Sequence, residues 1–364
     1  MRTRRRWMRS VVAAVMVCDG TLLVEDISVP TLFQLGDDFN SGFSFNDYVY
    51  DHQPPGYSST PSLDRPTSPA FPRGVPDLVG SLGEVLPVEG SSRTWQWMLD
   101  EMRVYPGEFA RRGHNVFVHR RLYDHEGMPR AMRTAFGIAS SCCLLADGGG
   151  ANREVLAAVM DAEVRELLKS DCGGGTLLDE LARLQALLLY QILRLLHDGN
   201  DVAQRMEAER QQDVLFTRAI KLVARSRAEL RPEAEAAGWR AWVLAECARR
   251  TALVVYMLYG VASIARGEGI CVGFPTLARL PLSTALRSWE SEDGHREEHM
   301  GMMVAGEAEE GQAPDVMSYE RFSVLCRVST RRRLDPFKKF LLVACRGIGC
   351  VEALSDAGCL VVEG

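Results

Sequence analysis

Apolar residues recur at three- and four-residue intervals over much of the chain. Trp95, Met98, Leu99 and Met102 show this pattern first, and the spacing is typical of one face of an amphipathic helix. The dipeptide Tyr105-Pro106 is expected to end that helix, because proline lacks a backbone donor and restricts the residue before it.

The same periodicity predicts further helices. They are expected over residues 131–146, 152–168, 177–196, 202–230, 239–265, 319–328 and from 336 onward. From Leu184 onward the 177–196 segment is apolar nearly all round, which indicates a buried central helix. Runs of alternating β-branched residues with hairpin turns, the signal of strands, are not evident. The predicted fold class is therefore all-α, an irregular multi-helix bundle over residues 93–364.

Residues 1–92 differ from the rest in composition. Seven prolines lie between Pro54 and Pro76 among Ser, Gly and Thr, and such a stretch favours an extended or disordered linker. Before it, residues 33–51 interleave aromatic residues with Asp and contain no Lys or Arg. That pattern fits an activation segment that folds onto a partner, and it fits equally well a loop whose aromatic side chains pack on the core.

The first residues of the chain are rich in arginine. The basic positions are Arg2, Arg4, Arg5, Arg6 and Arg9. A short apolar run, Val11–Val17, follows them, which is the outline of a secretory signal. Because Val17-Cys18-Asp19 is a poor cleavage site, a nuclear-import patch or a solvated charged end is favoured over secretion.

Charge and cysteine content narrow the functional classes. The 364 residues carry 42 Lys and Arg against 48 Asp and Glu, a formal net charge of -6. A chain this acidic is not a general polyanion binder, so any contact with nucleic acid requires a local basic patch. The ten cysteines include no C-x-x-C pair, and they are predicted to be reduced, buried and without zinc. The apolar run Ala252–Ala262 is too short to span a membrane.

One short string matches the sequence pattern of a zinc site. His295-Arg296-Glu297-Glu298-His299 fits H-x-x-E-H, in which two imidazoles one helical turn apart hold zinc beside a glutamate base. It lies in the acidic, glycine-containing stretch 287–312, where a solvated loop is favoured. For His114 and His119 a loop packed on the core is favoured, because no nucleophile or metal partner accompanies them. No catalytic residue, metal ligand or cofactor is therefore predicted.

Two groups of charged residues are predicted to lie in different settings, one in a solvated turn and one on a helix face. The first, near the carboxyl end, consists of Arg331, Arg332, Arg333, Lys338 and Lys339. It could meet phosphates, but a solvated turn beside a helix is favoured, because no aromatic or groove-reading element accompanies it. In the second group Glu246 precedes Arg249 and Arg250 by three and four residues, so opposite charges are expected to pair on one helix face.

Several short strings occur in an order that resembles a known family. They are Tyr105-Pro106, Phe109-Ala110, Phe117-Val118-His119, Leu181–Leu187, Tyr190–Leu195, Ala208–Gln211, Trp239–Glu246, Arg249-Arg250-Thr251, Leu280-Pro281-Leu282, Trp289, Asp335-Pro336-Phe337 and Cys345–Ile348. Together they resemble the carboxy-terminal regulatory region of fungal binuclear zinc-cluster transcription factors, in particular regulators of secondary-metabolite gene clusters. The resemblance depends on the order of the strings, since each alone is weak.

The resemblance implies an all-helical region that regulates or mediates association and has no catalytic residues. Its motif positions, expected to be structural, are Gln185, Tyr190, Arg194, Trp239, Trp242, Glu246, Arg249 and Arg250. The family's amino-terminal module holds two zinc ions with six cysteines in C-x2-C-x6-C halves, whereas only Cys18 precedes Cys142 here. Either the regulator lacks its own DNA-binding part, or the gene begins further upstream.

The sequence therefore predicts a nuclear transcriptional regulator of a secondary-metabolite gene cluster. The expected partners are the transcription machinery and a DNA-binding protein, with homo- or hetero-oligomers left open. DNA contact by this chain is expected to be indirect or absent, and no membrane is involved. The alternative is a non-catalytic helical ligand-binding or scaffold protein of the cytosol.

Overall fold

Helices make up most of the structure, which is a computed structural model. It describes residues 91–145, 150–169, 175–197, 202–230, 238–265, 273–285, 287–297, 316–328, 332–358 and 360–362. All of these residues belong to one compact unit, Pro69–Gly364. The four strands within them have three residues each, so the predicted all-α class is confirmed. The arginine-rich start, residues 33–51 and the proline-rich linker lie outside the described residues.

The longer helices come first along the described chain. They are α1 (Ser91–Arg112), α2 (Arg130–Leu144), α3 (Gly150–Lys169), α4 (Leu177–Leu196), α5 (Val202–Arg210), α6 (Gln212–Glu229) and α7 (Trp239–Ala265). Helices α4 and α7 begin and end at the residues that the hydrophobic pattern predicts. The others differ from their predicted bounds by one or two residues, except α1 and the α5–α6 pair.

Helix α4 lies at the centre of the bundle. A capping box fixes its start: Thr176 Oγ1 accepts a hydrogen bond from the Asp179 N–H at 3.1 Å, and Asp179 Oδ2 accepts one from the Thr176 N–H at 3.2 Å. Beyond the first turn nearly every side chain is buried, and the helix packs against all six of the other long helices. This arrangement is the one expected of a helix without a polar face.

Helix α7 is the second deeply buried element. Every residue of 250–264 is buried, and the helix packs against α1, α4 and α6. Among the described residues, no helix has both the length and the apolar character that crossing a bilayer would require.

Helix α1 continues through Pro106 to Arg112, so the prediction that it ends at Tyr105-Pro106 is wrong. An interior proline costs about 3 kcal/mol, because one backbone hydrogen bond is lost and the ring crowds the preceding turn. Met102, Tyr105 and Phe109 nevertheless recur at helical spacing across the proline, and all three are buried. The burial of this continuous apolar face offsets the cost of the proline.

The single helix predicted over 202–230 is two helices, which meet at Gln211. The Gln211 N–H bonds to the carbonyl of Ala208 at 3.3 Å, as in a tight turn. Its side chain is buried, and Oε1 accepts hydrogen bonds from Gln191 and Arg194 of α4. The helix is therefore interrupted at the residue, Gln211, whose side chain makes these buried hydrogen bonds with α4.

The remainder of the chain consists of short elements. They are α8 (Phe274–Arg279), β1 (Pro281–Ser283), α9 (Arg287–Glu290), α10 (292–297), β2 (Val316–Ser318), α11 (Tyr319–Val328), β3 (Arg332–Leu334), α12 (Pro336–Arg346), α13 (Ile348–Asp356) and β4 (Leu360–Val362). Strand β1 pairs antiparallel with β2, and β3 pairs parallel with β4.

The acidic stretch 287–312 begins as helix rather than as the predicted solvated loop. Helices α9 and α10 occupy 287–297, and Ser288 and Gly294 are buried within them. The contacts of this segment with α7, described below, account for the difference. The rest of the stretch lies outside the described residues.

Candidate functional site

The eight motif positions that were expected to be structural lie on the two buried helices. Trp239, Trp242, Glu246, Arg249 and Arg250 are on α7, whereas Gln185, Tyr190 and Arg194 are on α4. The structure brings the α7 set together with the 113–123 loop, with α9 and α10, and with the start of α12. We call its centre the Arg250 cluster, which consists of Glu246, Arg250, Trp289, Asp335 and Phe337.

Arg250 is almost completely buried and contacts every other member of the cluster. Its Nε donates to Glu246 Oε1 at 2.9 Å, and its Nη2 donates to Asp335 Oδ2 at 2.5 Å. The guanidinium carbon lies 3.7 Å from the Trp289 ring centroid and 4.8 Å from that of Phe337. Such an arrangement combines two ion pairs with a cation–π stack, which suits the planar guanidinium of arginine and not the ammonium of lysine.

The cluster holds its charges although it is buried. Burial by itself would lower the pKa of Arg250, but the nearby carboxylates of Asp335 and Glu246 outweigh it and the pKa is raised. Burial would likewise raise the pKa of Asp335, yet Arg250 and Lys338 hold it below its usual value. Arg249 adds a second cation, because its Nε donates to Glu246 Oε2 at 2.8 Å. Each buried carboxylate therefore has a cationic partner.

Asp335 also begins helix α12. Its Oδ1 accepts a hydrogen bond from the Lys338 N–H at 2.7 Å, and Pro336 occupies the first helical position. Both residue types are preferred at these places, because the carboxylate satisfies an unpaired backbone donor and proline has no donor to satisfy. One carboxylate thus caps a helix and neutralises Arg250, which joins α12 to α7.

The two lysines of the predicted basic cluster do not form a solvated turn. Lys338 is buried, and its Nζ donates to the carbonyl of Ala285 at 2.7 Å. Lys339 is half-buried, and its Nζ lies 5.7 Å from the Trp97 ring centroid. Arg333 is exposed. The interpretation as a solvated turn is therefore wrong for the lysines, which bind α12 to its neighbours.

His119 packs against two tryptophan rings beside the Arg250 cluster. Its ring centroid is 4.8 Å from that of Trp289 and 5.5 Å from that of Trp239, edge to face in both cases. Nδ1 accepts a hydrogen bond from the Arg121 N–H at 3.1 Å, so Nε2 carries the proton and donates to the Trp289 carbonyl at 2.8 Å. Burial lowers the pKa of His119 to about 4. The prediction of a loop packed on the core is confirmed for His119.

Contacts with α7 account for the helical structure of α9 and α10. Trp239 Nε1 donates to the carbonyl of Ser288 at 2.6 Å. The ring of His295 lies 5.5 Å from that of Trp242, and its Nδ1 is 3.0 Å from Ser288 Oγ. The first histidine of the H-x-x-E-H string is therefore half-buried against α7, and His299 lies outside the described residues. Among the residues that are described, no group of three His, Cys, Asp or Glu side chains could hold a metal ion.

Gln185 connects α4 to the same region. Its Nε2 donates to the carbonyl of Phe117 at 2.8 Å, and its Oε1 accepts a hydrogen bond from the Tyr123 hydroxyl at 2.6 Å. The same Nε2 also lies 3.4 Å from Oγ1 of Thr251, which is next to Arg250 on α7. A single buried amide therefore joins the 113–123 loop to both central helices.

Arg194 belongs to a second buried polar group further along α4. Its Nη1 donates to Gln211 Oε1 at 3.0 Å, and its Nη2 lies 3.3 Å from Asp161 Oδ1 of α3. Gln191 donates to the same Gln211 oxygen at 2.7 Å. Burial lowers the pKa of Arg194, the carboxylate of Asp161 being the largest opposing influence. The group joins α3, α4 and the break between α5 and α6.

Two buried tyrosines provide a matched test of these contacts. The Tyr190 hydroxyl has no hydrogen-bond partner among the described residues, whereas the Tyr123 hydroxyl donates to Gln185. We expect Tyr190→Phe to leave the free energy of unfolding unchanged or to raise it by about 1 kcal/mol, and Tyr123→Phe to lower it by about 1–2 kcal/mol. Urea titrations of the two variants measure the difference, and an equal loss in both would contradict these assignments.

The cysteines are less uniform than predicted. Cys247 is buried, and burial raises the pKa of its thiol to about 12. Cys142 and Cys345 are half-buried, while Cys143 and Cys350 are exposed. The prediction of buried cysteines is therefore wrong for the last two, because each lies on the solvent side of a helix whose opposite side faces the core.

The Arg250 cluster and the Arg194 group connect the helices of the domain through buried contacts. Their cations, carboxylates and rings are buried or half-buried against one another, and their contacts join α4, α7, α12 and the 113–123 loop. Sequence reasoning did not assign Asp335, Trp289 or Asn115 to the site. Asn115 shapes the loop, because its Oδ1 accepts hydrogen bonds from the N–H groups of Phe117 and Val118. Of these, Asp335 could have been predicted as the residue that caps a helix, because Asp followed by Pro is a helix-start signature.

Comparison with known proteins finds one relevant similarity. The chain is 28% identical over 205 residues to transcription factor gsfR2 of Penicillium aethiopicum. The aligned part is 53% of this chain and 47% of that protein, so the chain spans about half the length of the curated relative it matches. No protein-family model matches the chain, and no solved structure does. The similarity supports the predicted likeness to a fungal transcription factor.

Proposed function

We propose that this chain is a transcriptional regulator of a secondary-metabolite biosynthetic gene cluster, of the mycotoxin or polyketide type. The observation that carries the proposal is its similarity to a fungal transcription factor over about half of its length. The order of strings from Tyr105 to Ile348 is the reason for proposing this class of target genes.

The buried clusters support a mode of action through the surface of the helical domain. All eight motif positions are buried or half-buried, and most of them are engaged by the contacts described above. They are therefore suited to maintaining a scaffold on which other macromolecules bind. In this proposal the transcription machinery contacts residues 33–51, and the domain associates with further copies or with other regulators.

The route to DNA is proposed to be indirect for the residues of this chain. A binuclear zinc cluster needs six closely spaced cysteines, whereas Cys18 is the only one before Cys142. We propose that these residues reach promoters through a DNA-binding partner. The arginines of the chain's first ten residues would provide nuclear import.

Deletion of the gene tests the proposal. We expect transcripts of neighbouring biosynthetic genes to fall at least several-fold under producing conditions, because a regulator of the cluster is removed. RNA sequencing of the deletion strain and of a complemented strain measures this. Unchanged transcripts in the deletion strain would refute the proposal.

A fluorescent fusion separates this proposal from the cytosolic alternative. We expect nuclear fluorescence that depends on Arg2, Arg4, Arg5, Arg6 and Arg9, so their joint replacement by Gln should disperse the signal. A fusion that stays in the cytosol under producing conditions would favour a ligand-binding or scaffold protein instead.

A further inference from the structure

Most of the large apolar side chains that are exposed among the described residues lie on three neighbouring helices, α3, α5 and the start of α6. They are Val155, Val159, Val202, Met206 and Val214. Arg194 connects these helices from inside, because it contacts both Asp161 of α3 and Gln211 at the break between α5 and α6. Exposed apolar side chains that are concentrated in this way indicate an interaction surface.

Helix α3 carries an apolar stripe along its outer side. The stripe, which we call the α3 stripe, consists of four exposed residues, Val155, Ala158, Val159 and Ala162. Because successive residues of a helix turn by about 100°, these positions lie on one face. The other side of the helix, with Met160, Val164 and Leu167, is buried in the domain. The α3 stripe therefore has the spacing of a packing face and is open to solvent.

The charges beside the α3 stripe make it complementary to itself. Glu154 precedes the stripe and Arg165 follows it, and both are exposed. They lie on the same flank of the helix, because about three helical turns separate them. Neither side chain forms an ion pair with another described residue. When two copies of α3 pack antiparallel about a two-fold axis, Glu154 of each copy comes opposite Arg165 of the other.

This pairing also brings the apolar residues together. In the register that places Glu154 opposite Arg165, Val159 lies beside the two-fold axis and meets Val159 of the second copy. A two-fold interface has to be self-complementary in this way, because the same patch of surface faces itself. The distribution of charge therefore favours a second copy of the chain as the occupant of the stripe.

We propose that the α3 stripe is a homodimer interface, in which α3 of one copy packs antiparallel against α3 of a second copy. The stripe is only about 10 Å long, whereas a standard interface buries about 800 Å² on each partner. The dimer is therefore weak, with a Kd on the order of 10 µM. The inference specifies the association with further copies that the proposed function includes, and it rests on that part of the proposal.

Sedimentation equilibrium of the purified full chain, from about 1 to about 100 µM, tests the interface. We expect a monomer–dimer equilibrium, in which Val159→Glu raises the Kd at least about tenfold, because like charges then meet at the two-fold axis. Val361 on β4 is 48% exposed, against 46% for Val159, so Val361→Glu is the matched control and should leave the Kd unchanged. A chain that stays monomeric at about 100 µM, or a dimer that Val159→Glu does not weaken, would overturn the proposal.

An exchange of charges tests the antiparallel arrangement. Glu154→Arg and Arg165→Glu should each raise the Kd several-fold, because each places like charges opposite one another. The variant that carries both changes should return the Kd close to that of the wild type, and a failure to recover would overturn the proposed pairing. All three substituted residues of the stripe and its flank are exposed, and circular dichroism of each variant checks that the helical fold is kept. Sedimentation detects dimers whether or not the chain controls transcripts, so the interface and the regulatory role can fail separately.

Discussion

Replacement of Arg250 by Met is expected to lower the free energy of unfolding by about 3–5 kcal/mol, the usual cost of breaking a buried ion pair from one side. The substitution keeps much of the side-chain volume but removes the cation that Glu246 and Asp335 share. It also removes the stack on Trp289. Urea titration of the full chain, followed by far-ultraviolet circular dichroism, measures the loss.

Arg93 provides the matched control. Its Nη2 lies 2.7 Å from Glu352 Oε1, but the two side chains are 65% and 46% exposed. The same substitution, Arg93→Met, should therefore cost less than about 1 kcal/mol, because exposed ion pairs contribute little. Equal losses for Arg250→Met and Arg93→Met would show that the Arg250 cluster does not hold the bundle together.

Acidification from pH 7 to pH 4 is expected to destabilise the domain through His119 by about 3 kcal/mol. In the unfolded chain this imidazole takes up a proton as the pH falls through about 6.5, whereas burial lowers its folded pKa to about 4. The folded state therefore binds fewer protons than the unfolded state between these values. Its contribution to stability is complete above the unfolded pKa and is lost as the pH falls towards 4.

A pair of histidine variants isolates this contribution. His119→Gln keeps a donor for the Trp289 carbonyl but does not titrate, so the fall in stability between pH 7 and pH 4 should become smaller by about 3 kcal/mol. His125 is exposed, so His125→Gln serves as the control that replaces a histidine without removing a buried imidazole. An unchanged pH dependence in His119→Gln would contradict the assignment of a neutral, buried imidazole.

The central helices could be predicted from the sequence because their signal is local. Helix α4 is apolar nearly all round from Leu184 onward and α7 contains a long apolar run, and both occupy the predicted residues. Pro106 and Gln211 show where local rules fail. At Pro106 the burial of an apolar face outweighs a strong helix breaker, and at Gln211 contacts with α4 accompany a break that no local signal marks.

The site could be predicted only in part, for a related reason. Spacing along one helix correctly pairs Glu246 with Arg249 and Arg250, since residues three and four apart share a face. The second carboxylate that neutralises Arg250 comes from Asp335, 85 residues further along the chain. Contacts of that kind depend on how the helices pack, and the sequence pattern does not contain this information.

The link between the buried clusters and gene control is tested most directly by transcript abundance in four strains. These carry the wild-type gene, a deletion, Arg250→Met or Arg93→Met at the native locus. We expect neighbouring biosynthetic transcripts to fall in the deletion and Arg250→Met strains and to persist in the Arg93→Met strain. Transcripts that stay at the wild-type level in the deletion strain would contradict a regulatory role. Wild-type transcript levels in the Arg250→Met strain would contradict the dependence of gene control on the Arg250 cluster.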